Sequence, residues 1–237
     1  TMVSLHFILM RWRIKIMKLS DNTVSVLKNY SAINQNLLIN AGSTLTTMSA
    51  MKNIVARATV AENFEKDVAI YDLNEFLAAL SLFENPDLDF GDDFVMMGNE
   101  GSRKSLKYWY SDPSVVTTVT REITMPECEV SFKFSDKELS DITKAAAVIG
   151  AADMVLENGS LRVTDKKNDT ANHFAMEVDY VDAVETDHKF WFKVENLKLM
   201  PGTYEVAVSK NKISNFKNSN VDIEYFIALE PESYYGK

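Results

Sequence analysis

The sequence predicts an α+β fold in which antiparallel sheet dominates and a single plan is written twice. Three observations carry this. Two amphipathic helical stretches open on Ser20-Asp21 and Ser135-Asp136, whose side-chain oxygens can accept the orphan amides of a first turn. Each stretch is followed by a short apolar strand and a turn at a similar distance along the chain. Each half then runs a second strand into a second helical stretch before closing on further strands. Gly42 and Gly159 lie 117 residues apart and Ser20 and Ser135 lie 115 apart, a drift that a small loop insertion produces.

The elements follow in order. In the first helix Val26, Leu27, Tyr30 and Ile33 share one face; in its counterpart Leu139, Ile142, Ala146 and Ile149 do. Leu37-Leu38-Ile39 runs into Asn40-Ala41-Gly42-Ser43, and Met154-Val155-Leu156 runs toward Asn158-Gly159-Ser160. Asn-Gly is a strong hairpin signal, because both residues tolerate positive φ. Val68-Ala69-Ile70-Tyr71 then leads into Leu73, Phe76, Leu77 and Leu80. In the second half Phe190-Trp191-Phe192 leads into a second helix expected over Asn196 to Met200 and stopped by Pro201-Gly202. Tyr204–Val208 and Ile223–Ile227 read as closing strands. The junction falls between Asp112-Pro113 and Pro126, where Val115 to Thr124 reads as extended. It reads as a long extended connector between two similar domains; an ordinary crossing strand is the plainer reading, and the two are compatible. The expected division is residues 17–122 and 123–237.

Residues 1–16 read differently. An apolar run, Val3 to Met10, is followed by Arg11, Arg13 and Lys15, the reverse of a secretory signal. It is also too short to span a bilayer, which takes about 20 apolar residues. Met17 resembles a natural start, so residues 1–16 are expected to be a leader or remnant outside the fold. A small basic membrane anchor is the alternative. With no targeting or transmembrane segment remaining, a cytoplasmic protein is expected.

Composition excludes several enzyme classes. Cys128 is the lone cysteine, so neither an internal disulfide nor a Cys-rich zinc site is possible, and His6, His173 and His188 are too few and scattered to suggest a metalloenzyme. The 8 glycines form no phosphate loop. Asp87, Asp89, Asp92 and Asp93 cluster, but Gly91 stands where a calcium-binding loop needs a ligand. Asn158-Gly159-Ser160 and Asn168-Asp169-Thr170 fit a glycosylation pattern that a cytosolic chain does not use. No catalytic residue, metal or cofactor is expected.

The outer helix faces are more informative. The first presents Asp21, Ser25, Lys28, Ala32 and Gln35, the second Lys137, Ser140, Lys144 and Ala147. Small polar faces with spaced lysines can lie beside DNA phosphates, although a solvated surface is the commoner use. Net charge argues against retention by affinity. The chain carries 25 Lys+Arg against 34 Asp+Glu, a formal −9, and both halves are acidic. Retention by topology, as a ring around DNA, needs no large cationic patch.

Several islands resemble the DNA polymerase sliding clamp of T4-like bacteriophages. They are Met17-Lys18-Leu19-Ser20 with Thr23, Leu27-Lys28-Asn29 and Ile33-Asn34; Asp67 to Asn74 with Phe76-Leu77 and Leu80-Ser81-Leu82; and Met200-Pro201-Gly202 with Tyr204, then Ile227 to Glu230. Their order and spacing carry the likeness from Met17 to the C-terminus; none is a catalytic signature. The resemblance implies a DNA-clamp fold of two similar domains, each with two helices packed on antiparallel sheets, closing as a homotrimeric ring around duplex DNA. It implies a processivity factor without catalysis that tethers the replicative DNA polymerase, is opened by an ATP-dependent clamp loader and serves late-transcription factors. It makes Lys28, Lys137, Lys144 and Lys198 candidates to face DNA. The second helix departs from a basic lining, with Glu75, Ala78 and Ala79 outward. The partner-peptide pocket it implies comprises Val116, Val119, Ile123, Met125, Leu229 and Pro231, whose plainer role is packing the seam between domains. The rival reading is a non-catalytic structural or virion protein with duplicated β-rich domains.

Overall fold

A computed structural model describes residues 16–236; residues 1–15 of the expected leader lie outside the described residues. The chain order is α1 (Asp21–Ile33), β1 (Leu37–Ile39), β2 (Gly42–Met48), β3 (Ile54–Phe64), β4 (Val68–Ile70), α2 (Leu73–Leu80), β5 (Asp87–Phe90), β6 (Phe94–Gly98) and β7 (Ser105–Trp109). A 3-10 turn, Pro113–Val115, opens a stretch without regular structure that reaches β8 (Val130–Phe134). Then come α3 (Asp136–Ile149), β9 (Asp153–Glu157), β10 (Ser160–Thr164), β11 (Phe174–Glu177), β12 (His188–Lys193), a 3-10 turn at Val194–Asn196, β13 (Tyr204–Ser209), β14 (Ile213–Asn218), β15 (Ile223–Ala228) and β16 (Tyr234–Tyr235).

All strand pairs are antiparallel. The central sheet runs β2-β3-β15-β14-β13-β8 and is shared by both ends of the chain, because β3 pairs with β15 through Ala56↔Tyr225 and Arg57↔Glu224. A five-stranded sheet runs β11-β10-β9-β12-β16, a three-stranded sheet β5-β6-β7, and β1 pairs with β4.

The helices form where their caps predict. Ser20 accepts the Thr23 amide at 3.2 Å. Glu62 reaches across from β3 to take the Ser20 amide at 2.5 Å and the Thr23 hydroxyl. Burial would raise the pKa of Glu62; the hydrogen bonds from Thr23 and Ser20 outweigh it and hold the carboxyl below the ordinary glutamate range. Val26, Leu27, Tyr30 and Ile33 are all buried. In α3, Ser135 and Glu138 form a capping box, and Gly150 ends the helix at φ 66°. Leu139, Ile142 and Ala146 are buried, and Ile149 packs half-buried at the rim. The β9–β10 hairpin closes on Asn158 and Gly159, with φ of 47° and 88°. The equivalent turn at Asn40–Ala41 instead separates β1 and β2 into different sheets.

The expected second helix of the latter half is not formed. Residues 194–196 make a 3-10 turn, and Leu197 leaves helical geometry at ψ 59°. Five residues before a proline make too few hydrogen bonds to repay helix nucleation. Side chains satisfy the segment instead. The Tyr204 hydroxyl donates to the Met200 carbonyl, the Met200 amide donates to the Tyr225 hydroxyl, and buried Asn196 accepts from Asn53. The described residues therefore hold three α-helices, two before the junction and one after it.

Candidate nucleic-acid interface and docking cleft

Side-chain alternation gives the central sheet two unlike faces. On β15, Tyr225 points to the helix side. Its hydroxyl donates to Asn29 Oδ1 of α1 at 2.8 Å, and Asn29 donates to the Lys198 carbonyl at 2.9 Å. The Gly202 amide donates to Asp136 in the first turn of α3 at 2.8 Å. α1, residues 198–202 and the start of α3 are thus tied together. Lys28 and Lys198 are brought to neighbouring positions on this surface, and Ser25, Lys28, Leu199, Met200 and Pro201 line a shallow groove there.

All four candidate lysines are exposed. Lys137 donates to Asp141 one turn on, at 2.6 Å; that hydrogen bond, with the nearby charge, raises its pKa. No carboxylate pairs with Lys28, Lys144 or Lys198 among the described residues. On α2, Glu75 and Ala78 face outward, but Ala79, expected beside them, is buried. It lies on the stripe of Phe76 and Leu80, so the polar face of α2 is narrower than the sequence suggested.

On the opposite face, Phe226 of β15 and Val55 and Arg57 of β3 sit beneath the connector. Together with Leu38, Val119 and Ile123 they line a cleft of about 240 Å³. Arg57 is held from both sides. Its Nε and Nη2 donate to Glu224 Oε1 at 3.0 and 2.5 Å, and Nη1 donates to Glu122 of the connector at 3.2 Å. Its guanidinium lies 5.5 Å over the Phe226 ring. The hydrogen bonds Arg57 donates to Glu224 lead the contributions that raise its pKa, against burial.

Of the six pocket candidates, Val119 and Ile123 stand in this cleft; the other four do not line it. Val116 is buried upstream, and Leu229 is buried in the main core. Met125 is half-buried farther along the connector, and Pro231 is exposed, its carbonyl accepting from Lys212. Sequence reasoning missed Arg57, Val55, Leu38 and Phe226. The signal lay in strand alternation, but within Tyr225-Phe226-Ile227 an aromatic reads as core whichever way it points.

The residues first weighed for chemistry have structural employment. Asp87 pairs with Lys18 at 3.1 Å and Asp92 with Lys66 at 2.6 Å. Burial pushes the Cys128 thiol pKa up, and its Sγ donates to the Pro126 carbonyl. His188 is buried between the Tyr180 hydroxyl and the Thr186 carbonyl, each at 2.7 Å. No cluster of His, Cys, Asp and Glu suited to a metal occurs among the described residues.

Helices and a connector cleft on opposite faces of a sheet shared by both ends of the chain define the processivity-clamp class of fold. Solved structures agree. Proliferating cell nuclear antigen from Entamoeba histolytica superposes with a TM-score of 0.66 at 14% identity, over 91% of this chain and 98% of its own. The Helicobacter pylori beta clamp bound to a DNA ligase peptide gives 0.61 at 16%, over 92% of this chain and 68% of its own. Family models for DNA polymerase processivity factors and for the C-terminal part of the gp45 sliding clamp match residues 18–90 and 131–231. The sliding clamp of Vibrio phage KVP40 is 34% identical over 223 residues, covering 90% of this chain and 99% of its own. That of Enterobacteria phage T4 is 26% identical over 232 residues, covering 92% and 98%. The chain belongs to the sliding clamp family of T4-like bacteriophages. Its members are non-catalytic processivity factors, which sets aside both the enzyme and the virion-protein readings.

Proposed function

We propose that this clamp encircles duplex DNA as a homotrimer and tethers the replicative DNA polymerase to it. Residues 17–122 and 123–237 act as its two domains, joined by the β3–β15 pairing. Lys28, Lys137, Lys144 and Lys198 face the duplex, and docking peptides enter beneath the connector at Val119 and Ile123. The observation that carries this reading is the opposition of the two sheet faces. Exposed lysines on small polar helix surfaces lie on one side, and on the other lies a cleft whose apolar floor of Phe226, Val55 and Leu38 is rimmed by polar and charged side chains. DNA and partner can then be held at once.

Ring closure is supported by unpaired edges. β7 and β11 each form the edge of their sheet, and each exposes an aromatic, Trp109 at 61% and Phe174 at 38%. Pairing the β7 of one copy with the β11 of the next is a head-to-tail contact that hides both edges when the ring closes. A formal charge of −9 fits retention by topology better than retention by affinity. An ATP-dependent loader would open the ring, and late-transcription factors would share the cleft. The place of action is the host cytoplasm, and no helix among the described residues is long and apolar enough to cross a membrane.

The test is extension of a primed circular template by the phage polymerase with loader and ATP. Addition of the protein is expected to lengthen products; unchanged product length refutes the role.

A further inference from the structure

The cleft holds two of the chain's arginines, Arg57 and Arg121, in a protein that is acidic overall. Arg57 has two carboxylate partners of unlike character. Glu224 is its cross-strand neighbour, fixed by the β3–β15 register, and its side chain is 23% exposed. Glu122 comes from the connector, and its side chain is 81% exposed. The Glu224 pair uses Nε and Nη2, and the Glu122 contact uses Nη1 alone. The first belongs to the sheet. The second is a solvated, single-contact ion pair of the kind that contributes little to stability. It can be exchanged without disturbing either strand. Directly beneath the guanidinium lies Phe226, and Val55, Leu38, Val119 and Ile123 continue the apolar floor and wall.

We propose that Glu122 is a resident stand-in for an acidic group of the docking peptide. A peptide carboxylate replaces it on Arg57 Nη1 while a neighbouring apolar side chain of the peptide fills the cleft. The favoured partner is thus a short peptide pairing an acidic residue, or its own terminal carboxylate, with an aliphatic or aromatic residue. This deepens the docking reading above and rests on it. The carboxylate in place contributes a charge-assisted hydrogen bond and selects against neutral or basic peptides. The connector contact it displaces sets a small threshold against weak binders.

The experiment uses the full chain and a displayed library of random nine-residue peptides with free C-termini. The tightest binder to wild type is synthesised with a fluorescein label, in its acidic form and with its acidic side chains converted to amides and its terminus amidated. Both forms are titrated by fluorescence anisotropy against wild type, Glu122→Gln, Arg57→Gln and Val119→Asp. The acidic form is expected to bind wild type about tenfold more tightly than the neutral form. Glu122→Gln should tighten the acidic form about two- to fivefold and leave the neutral form unchanged. Arg57→Gln should bring the acidic form down to the neutral one. Glu122 lies on an exposed connector, so that variant folds even if the Arg57 variant does not.

Equal affinity of the two forms for wild type, or no effect of Glu122→Gln, overturns the exchange. If binding is still lost in Val119→Asp, the cleft remains the docking site and only the exchange fails. If no peptide is selected, or Val119→Asp binds like wild type, the docking reading falls and the exchange with it.

Discussion

The two faces of the central sheet are built from adjacent residues of the same strands, yet they are held very differently. Tyr225 and Phe226 are neighbours on β15. Tyr225 is buried under α1 with its hydroxyl bonded to Asn29 and Met200. Phe226 looks the other way, roofed by an arginine whose outer partner sits on an exposed connector. One side is a packed core whose tyrosine hydroxyls are hydrogen-bonded; the other is a shallow cleft bordered by a single exposed connector contact. A clamp needs this division. Under the proposed function, the helix layer keeps its shape around a duplex while the cleft exchanges partners without loosening the sheet.

The comparison breaks most easily in the core beneath the helices. Leu27 is fully buried. Leu27→Ala should lower unfolding free energy by about 2–5 kcal/mol, read as a reduced urea midpoint. Val119→Asp on the connector should leave the unfolding free energy within about 0.5 kcal/mol of wild type while abolishing polymerase stimulation. If Val119→Asp unfolds the protein, the two faces are not separable as described.

A smaller effect sharpens the helix side. Glu62 links β3 to the N-terminus of α1, and Glu62→Gln should destabilise by about 1–3 kcal/mol. Because the folded pKa lies below the ordinary glutamate value of 4.5, the charged Glu62 contributes fully above that pH. Its contribution is lost as pH falls through the depressed folded pKa. Wild type should therefore lose more stability than Glu62→Gln on acidification from pH 6 to about pH 3, in urea titrations at each pH.

The lysines come next. Lys144→Glu should slow loading or sliding several-fold, with greater sensitivity to salt, and leave the oligomer intact by light scattering. A dissociated oligomer would mean α3 lies in a subunit contact instead. Lys137→Ala should have the smallest effect in the same assay, because Asp141 already engages that ammonium.

Much of this architecture was legible in the sequence, for identifiable reasons. The buried stripes of α1 and α3 follow the helical period, their caps are local, and Asn158-Gly159 closes its hairpin without help from elsewhere. Local chemistry decides such elements. The expected helix at Asn196–Met200 failed because five residues before a proline are too few to nucleate it; the tyrosines of β13 and β15 that take up its backbone groups come from elsewhere in the chain, and no local pattern encodes them. The cleft was half legible for a similar reason. Val119 and Ile123 are conspicuous on a connector, but Arg57 and Phe226 come from strands 169 residues apart and meet only through the β3–β15 pairing. Leu229, grouped with the cleft from the resemblance, lies just past the end of β15 and packs in the buried core.

The most direct test is retention on DNA after loading. The fluorescently labelled protein is loaded onto a closed circular duplex with loader and ATP, the loader is removed, and the half-life on DNA is compared before and after a single restriction cut. A ring held by topology should persist on the circle and leave rapidly once the DNA has ends. Equal half-lives on cut and uncut DNA would contradict encirclement.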